Sequence, residues 1–229
     1  MSAHGHRAML SRSRSSRKHG IGADDAGVLG PTPQQMARVD ASAIRVQALT
    51  MDVVDQMTAI HNEGFGSKVC CLCCPVGDND GRTRKFYEKH PERLAVCGVA
   101  LDRDGATLGY VQLAIHPMHD KDGLHNTQPG EAYIEQISVG AAARGRGVGC
   151  TLLQWAESQA RGRGCHTLTL SVLNGNPARR LYERFGFQAK SQDGCEECLT
   201  CCIVFCIVGR PYGLCDPHGG AVDMTKALA

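Results

Sequence analysis

The sequence lacks any apolar run long enough to cross a bilayer. Its longest, "CLTCCIVFCIVG" at residues 198–209, stops well short of the roughly 20 residues a membrane helix needs. No secretory leader is expected, because no apolar core follows the basic start. The first 20 residues contain no acid, yet hold five basic residues: Arg7, Arg12, Arg14, Arg17 and Lys18. Such an Arg- and Ser-rich composition fits an organelle transit peptide and a plain disordered tail equally well. Beyond this tail there is no excess of positive charge, since 20 Lys and Arg face 23 Asp and Glu. That balance argues against nucleic acid as the main partner. The expected location is intracellular: cytoplasm, or mitochondrion or plastid if the tail is a transit peptide. Oligomeric state leaves no mark in the sequence.

The 229 residues suffice for one domain with a substantial core. Residues 1–40 read as a disordered basic tail, and the domain is expected over 41–229. Alternating apolar residues predict a strand over 43–49. Met51, Val54, Met57 and Ile60 then have helical spacing, with Thr50 placed to cap. A second short helix is expected over 82–90. Strands follow over 94–102 and 108–116, joined by the turn sequence "RDGA". In the next strand, 131–139, Ile134 and Ile137 lie an odd number of residues apart. A regular strand would send them to opposite faces, so a β-bulge is expected between them. Helical spacing from Val148 to Gln159 comes next, then a strand over 166–173. A short helix follows, with Asn176 as cap, Pro177 in the first turn and Gly186 as stop. A final strand is expected near "GGAVDMTKAL". The alternation predicts an α/β fold.

The pentapeptide Ala-Arg-Gly-Arg-Gly occurs twice, at 143–147 and 160–164. The first copy follows a strand and opens a helix, where unpaired backbone N–H groups and the positive end of the dipole favour an anion. Gly145, Gly147 and Gly149 let a pyrophosphate approach, and Arg144 and Arg146 add charged donors. The second copy stands at a helix C-terminus, the negative end, where arginines neutralise dangling carbonyls and Gly162 or Gly164 ends the helix. One phosphate loop is therefore expected.

The segment "YIEQISVGAAARGRGVGCTLLQWAE", then a strand, then "GNPARRLYERFGF" resembles the GNAT superfamily of N-acetyltransferases. Arg144, Gly147 and Gly149 match its Arg-x-x-Gly-x-Gly/Ala signature. The resemblance implies the acyl-CoA N-acyltransferase fold: a central mixed, mostly antiparallel sheet, flanked by helices, with a bulged fourth strand splayed from the fifth. It also implies acetyl-CoA as co-substrate and direct acetyl transfer to an amine acceptor, a small molecule or a protein amine. Backbone groups of Ile137, Ser138 and Val139 would pair with the pantetheine arm. Arg144, Gly145, Arg146, Gly147, Val148 and Gly149 would hold the pyrophosphate, and Asn176 would contact the pantetheine. Tyr182 takes the place of the general acid. Glu135 is the candidate base acting through water, with Glu131 in reserve, and Tyr133 is expected beside the acceptor. The acceptor would be chosen by residues 62–89 and 116–130.

Thirteen cysteines, an odd number, cannot all pair within the chain. Without a leader they are expected as reduced thiols. Four crowd "VCCLCC", and six lie in an apparent insertion at about 190–218. Cys195, Cys198 and Cys201 begin like an iron–sulfur run, but Phe205 stands where the fourth ligand belongs. A structural zinc on Cys195 and Cys198, completed by Cys201, Cys215 or His218, lacks a second clean ligand pair. The rival reading is a non-catalytic module of the same fold, whose cysteine-rich segment binds a metal or a partner.

Overall fold

The computed structural model describes residues 44–65, 77–78, 80–117, 125–190 and 221–228. The basic tail, the CCLCC cluster and the cysteine-rich insertion, with the proposed zinc ligands, lie outside the described residues. Seven strands form one sheet: β1 (Arg45–Ala48), β2 (Cys97–Leu101), β3 (Thr107–Ile115), β4 (Glu131–Val139), β5 (Thr167–Leu173), β6 (Gln188–Ala189) and β7 (Ala221–Ala227). Their spatial order is β1-β2-β3-β4-β5-β7-β6. Among the described residues only β4 and β5 run parallel; every other neighbouring pair is antiparallel. The parallel step is made by the crossover helix α3 (Val148–Gly162), while α1 (Val54–Phe65), α2 (Arg82–Lys89) and α4 (Arg179–Phe185) complete the helical layers.

Two cores sit on opposite faces of the sheet. On one, Val54, Met57 and Ile60 of α1 and Tyr87 of α2 meet Cys97, Val99 and Tyr110. On the other, Leu152, Leu153, Ala156 and Ala160 of α3 pack on Val111, Leu113, Ile134, Leu168 and Leu170, joined by Tyr182 of α4. The apolar stripe of α3 explains its docking: Leu152 and Leu153 are fully buried, each contributing about 2 kcal/mol by leaving water. Gly98 makes room for this helix, since a Cβ there would meet the Trp155 ring at 2.5 Å.

Several starts differ from expectation. The first helix begins at Val54, after a turn in which the Val53 amide bonds the Thr50 carbonyl, so Thr50 is not its cap. Residues 94–96 belong to a 3-10 turn, Pro91–Val96, and not to the strand. α4 begins at Arg179 with Ala178 at its N-cap. Asn176 instead caps the preceding turn, its Oδ1 accepting from the Ala178 amide at 2.9 Å. Gly81 stands at the N-cap of α2, and the carboxylate of Asp78, four residues before the helix, accepts from the amides of Arg82 and Thr83. Asn62 of α1 grips the Asp78 backbone through both its amide atoms.

The second Ala-Arg-Gly-Arg-Gly copy behaves as a helix stop. Gly164 takes φ 75° just past α3, and Arg163 donates to the carbonyls of Gln159 and Ala95.

Candidate active site

The bulge appears in β4. Leu113 pairs with Ile134 and Gln112 with Gln136, so Glu135 is the extra residue. It shifts the alternation by one, and Ile134, Ile137 and Val139 all pack with the α3-side core. β4 pairs with β5 only through residues 131–134, opposite 167–170. From Glu135 onward the two strands part, while β3 remains paired to β4 as far as Val139. One edge of residues 135–139 therefore faces a fork instead of a neighbouring strand.

The glycine loop closes the open end of this fork. A 3-10 turn, Ala141–Ala143, is followed by extended Arg144, and then by Gly145 and Gly147 with φ of 75° and 86°. Those angles favour glycine over any residue with a Cβ. A Cβ at either position would meet nothing within 4 Å, so both glycines border open space. The first amides of α3 have no intrahelical acceptor and stand at the positive end of its dipole. A cavity of about 470 Å³ opens here, between Gly145, Gly147 and Val148 on one side and Leu181, Arg184 and Phe185 of α4 on the other.

A second cavity, about 510 Å³, runs along the fork. Ile137, Ser138 and Val139 form one wall, and Asn176 and Tyr182 the other. Val139, Arg144, Gly149 and Leu181 line both cavities, which form one cleft. Tyr182 is only 6 % exposed, with its ring edge-on to Phe187. The expected residues Ile137, Ser138, Val139, Arg144, Gly145, Gly147, Val148, Gly149, Asn176 and Tyr182 thus share this cleft. Arg146 is half-buried but lines neither part of it.

Glu135 lies elsewhere, on the α1–α2 side of the sheet. Its Oε2 accepts from Arg93 and, at 2.9 Å, from Gln112 Nε2. Arg93, in the 3-10 turn before β2, is 4 % exposed and Glu135 22 %, so the pair is largely withdrawn from water. Gln112 also accepts from the Tyr87 hydroxyl, linking α2 to the bulge. Glu131 is buried. Burial alone would raise its pKa, but Thr169, the Gln128 amide and the His125 ring bind the carboxylate and bring it below the usual carboxylate value. Glu131 thus ties the His125–Gln128 segment to Thr169 of β5.

On this same side a third cavity, about 290 Å³, opens between α1, α2 and β3–β4. His61, Phe86, Tyr110 and Gln136 line it. His61 Nδ1 lies 2.8 Å from Gln136 Nε2 and 3.2 Å from the Tyr110 hydroxyl. Sequence reasoning missed Arg93, His61, Gln112 and Gln136, because each depends on register between distant elements. Alternation along β3 and β4 would have put Gln112 and Gln136 on one face, but only the bulge tells which.

Residues 60–187, more than half of the chain, match the family model described as Acetyltransferase (GNAT) family. The chain belongs to the GNAT acetyltransferase family. Among its relatives, the aminoglycoside N(6')-acetyltransferase type 1 of Klebsiella aerogenes is 33% identical over 98 residues, 42% of this chain and 62% of that protein. The chain thus spans less than two thirds of that enzyme. The L-methionine sulfoximine/L-methionine sulfone acetyltransferase of Pseudomonas aeruginosa is 28% identical over 148 residues, 64% of this chain and 75% of that protein. A GCN5-related N-acetyltransferase from Kribbella flavida shares the fold with a TM-score of 0.57 at 20% identity, covering 82% of this chain and 99% of that one. The acetyltransferase yncA from Salmonella typhimurium, solved with its cofactor acetyl-CoA, superposes with a TM-score of 0.55 at 19% identity, covering 82% and 95%. Among the described residues of this GNAT protein no helix is long and apolar enough to cross a membrane, and no three His, Cys, Asp or Glu side chains gather as a metal site.

Proposed function

We propose that this protein transfers an acetyl group from acetyl-CoA directly to an amine. The observation that carries the reading is the continuous cleft from the glycine loop along the unpaired edge of β4 to Tyr182. The loop suits a pyrophosphate: the helix start supplies amides, Gly145 and Gly147 border open space, and Arg144 adds charge. Backbone groups of Ile137, Ser138 and Val139 offer a strand edge to the amides of a pantetheine arm, with Asn176 across from them. Arg146, outside the cleft wall, contributes charge near the loop rather than a direct contact.

Tyr182 donates its phenolic proton to the leaving sulfur as the C–S bond breaks. On the opposite face Glu135 takes the amine proton through a bridging water. Both of its protein contacts use Oε2, which leaves Oε1 for that water. The cavity beside His61 and Gln136 receives the acceptor.

The test is release of the coenzyme A thiol by the full chain, with acetyl-CoA and one of three amines: kanamycin, L-methionine sulfone or n-butylamine. The first two follow from what the relatives' names say those enzymes acetylate. Amine-dependent thiol release with at least one of them, abolished by Tyr182→Phe, supports the reading. Acetyl-CoA binding without amine-dependent release from any of them contradicts it for these amine classes.

A further inference from the structure

We infer that Asp223, held by Ser171 and Tyr133, is the anchor for the acceptor's ammonium group, at the apex of the fork and on the sheet face opposite Tyr182. The inference rests on the acetyltransferase reading and deepens it by naming a charged group that selects the acceptor.

The position follows from the fork. Its open end is the glycine loop after Val139, and its apex is the last β4–β5 pair, Ile134 with Leu170. From Val139 back to Glu135 is four residues of strand, roughly 13 Å, comparable to an extended pantetheine arm. An arm laid along this edge from the loop delivers its thioester beside the apex. Tyr182 stands on the α3–α4 side, so the amine arrives from the other side.

The groups on that side follow from the register. Ser171 is the first β5 residue beyond the last pair with β4, and it pairs directly with Asp223 of β7. Its Oγ donates to Asp223 Oδ1, and the Tyr133 hydroxyl donates to Ser171 Oγ at 3.1 Å. The Tyr133 ring is fixed by stacking on His125 at 4.2 Å. Burial raises the Tyr133 pKa, so the phenol stays a donor.

Asp223 differs from three carboxylates of the sheet and of α3. Glu135 has Arg93 as partner, Glu131 has His125, and Glu157 has Lys226 and Arg161. No Lys, Arg or His among the described residues pairs with the Asp223 carboxylate, although the residue is half-buried. A half-buried carboxylate without a counter-ion is costly, and a protonated amine bound there relieves the cost. The ligand class is therefore a primary or secondary ammonium.

The test is steady-state kinetics of the full-length protein and its Asp223→Asn variant, with whichever of kanamycin, L-methionine sulfone and n-butylamine turns over fastest. Asn keeps an acceptor for Ser171 and removes only the charge. The expected result is an acceptor KM raised at least tenfold, with kcat within threefold and the acetyl-CoA Kd within twofold of the parent. Ser171→Ala, which loosens the carboxylate, raises the same KM by about threefold and serves as the second variant if Asp223→Asn folds poorly. An unchanged KM in a folded variant overturns the anchor. A parent that binds acetyl-CoA yet acetylates none of the three also overturns it, while leaving the cofactor cleft intact. A parent that binds no acetyl-CoA overturns the transferase reading and the anchor together.

Discussion

At the residue scale, Tyr182 and Glu135 make opposite predictions about stability. Tyr182 packs its ring against Phe187 and lines the cleft, so Phe at this position preserves the packing and removes only the acid. Tyr182→Phe is expected to lower kcat about 100-fold, with acetyl-CoA affinity within threefold and little change in melting temperature. Retention of more than half the parent kcat would dismiss the phenol as the acid. Glu135 carries a structural duty besides its proposed chemical one, because Arg93 beside it is almost wholly buried. Glu135→Ala would take away the carboxylate that this buried guanidinium faces, and a loss of roughly 3 kcal/mol in a urea titration is expected. An unchanged midpoint would mean that water already solvates Arg93. The family resemblance points to Glu135, but it does not reveal that an arginine 42 residues earlier in the chain holds the carboxylate.

At the scale of elements, the packing of β2 against α3 hangs on one missing side chain. Gly98 lies under the Trp155 indole, and a Cβ would come within 2.5 Å of the ring. Gly98→Ala is expected to destabilise the fold by about 2 kcal/mol, read from thermal unfolding; a neutral result would show that the indole shifts freely. Which elements were legible follows from how local their causes are. The bulge in β4 was readable from the spacing of Ile134 and Ile137 alone. So were the different fates of the two Ala-Arg-Gly-Arg-Gly copies, which depend on the sequence flanking each. α2 and α3 start where their sequence patterns place them, at Arg82 and Val148, whereas α1 and α4 start later, because Thr50 and Asn176 belong to turns before them. Asp78 binds the first amides of α2 from four residues away, and Asn62 of a different helix sets it there. Residues 94–96 read as strand from their apolar content, but they belong to the turn Pro91–Val96, which buries Arg93 beside the bulge residue Glu135. Such long-range pairings are absent from any local window. The cavity beside His61 and Gln136 is built of them, which is why the fold and the glycine loop were legible while that cavity was not.

At the scale of the whole molecule, two buried carboxylates tie stability to pH. Burial opposes ionisation of Asp78 and of Glu131. Hydrogen bonds from Thr83 and Arg82 to the first, and from Thr169, Gln128 and His125 to the second, outweigh it and depress both pKa values. Groups depressed in the folded state stabilise it above their unfolded pKa values, about 3.9 and 4.3. That contribution is lost as pH falls through the folded values. The melting temperature is therefore expected to hold from pH 7 to about 5 and to drop below about pH 4. The drop should be shallower in Glu131→Gln, although that variant starts from a lower plateau; an acid limb of equal slope would remove Glu131 from the account.

The central claim is that the cleft between the glycine loop, the edge of β4 and α4 holds acetyl-CoA. Calorimetric titration of acetyl-CoA into the full-length protein, beside a Gly147→Asp variant, tests it most directly. A Cβ at Gly147 meets no protein atom within 4 Å, so the new carboxylate projects into the space assigned to the pyrophosphate. Micromolar binding by the parent, and none by a variant with an intact melting transition, is expected. Absence of binding by the folded parent, or equal binding by both proteins, would contradict it.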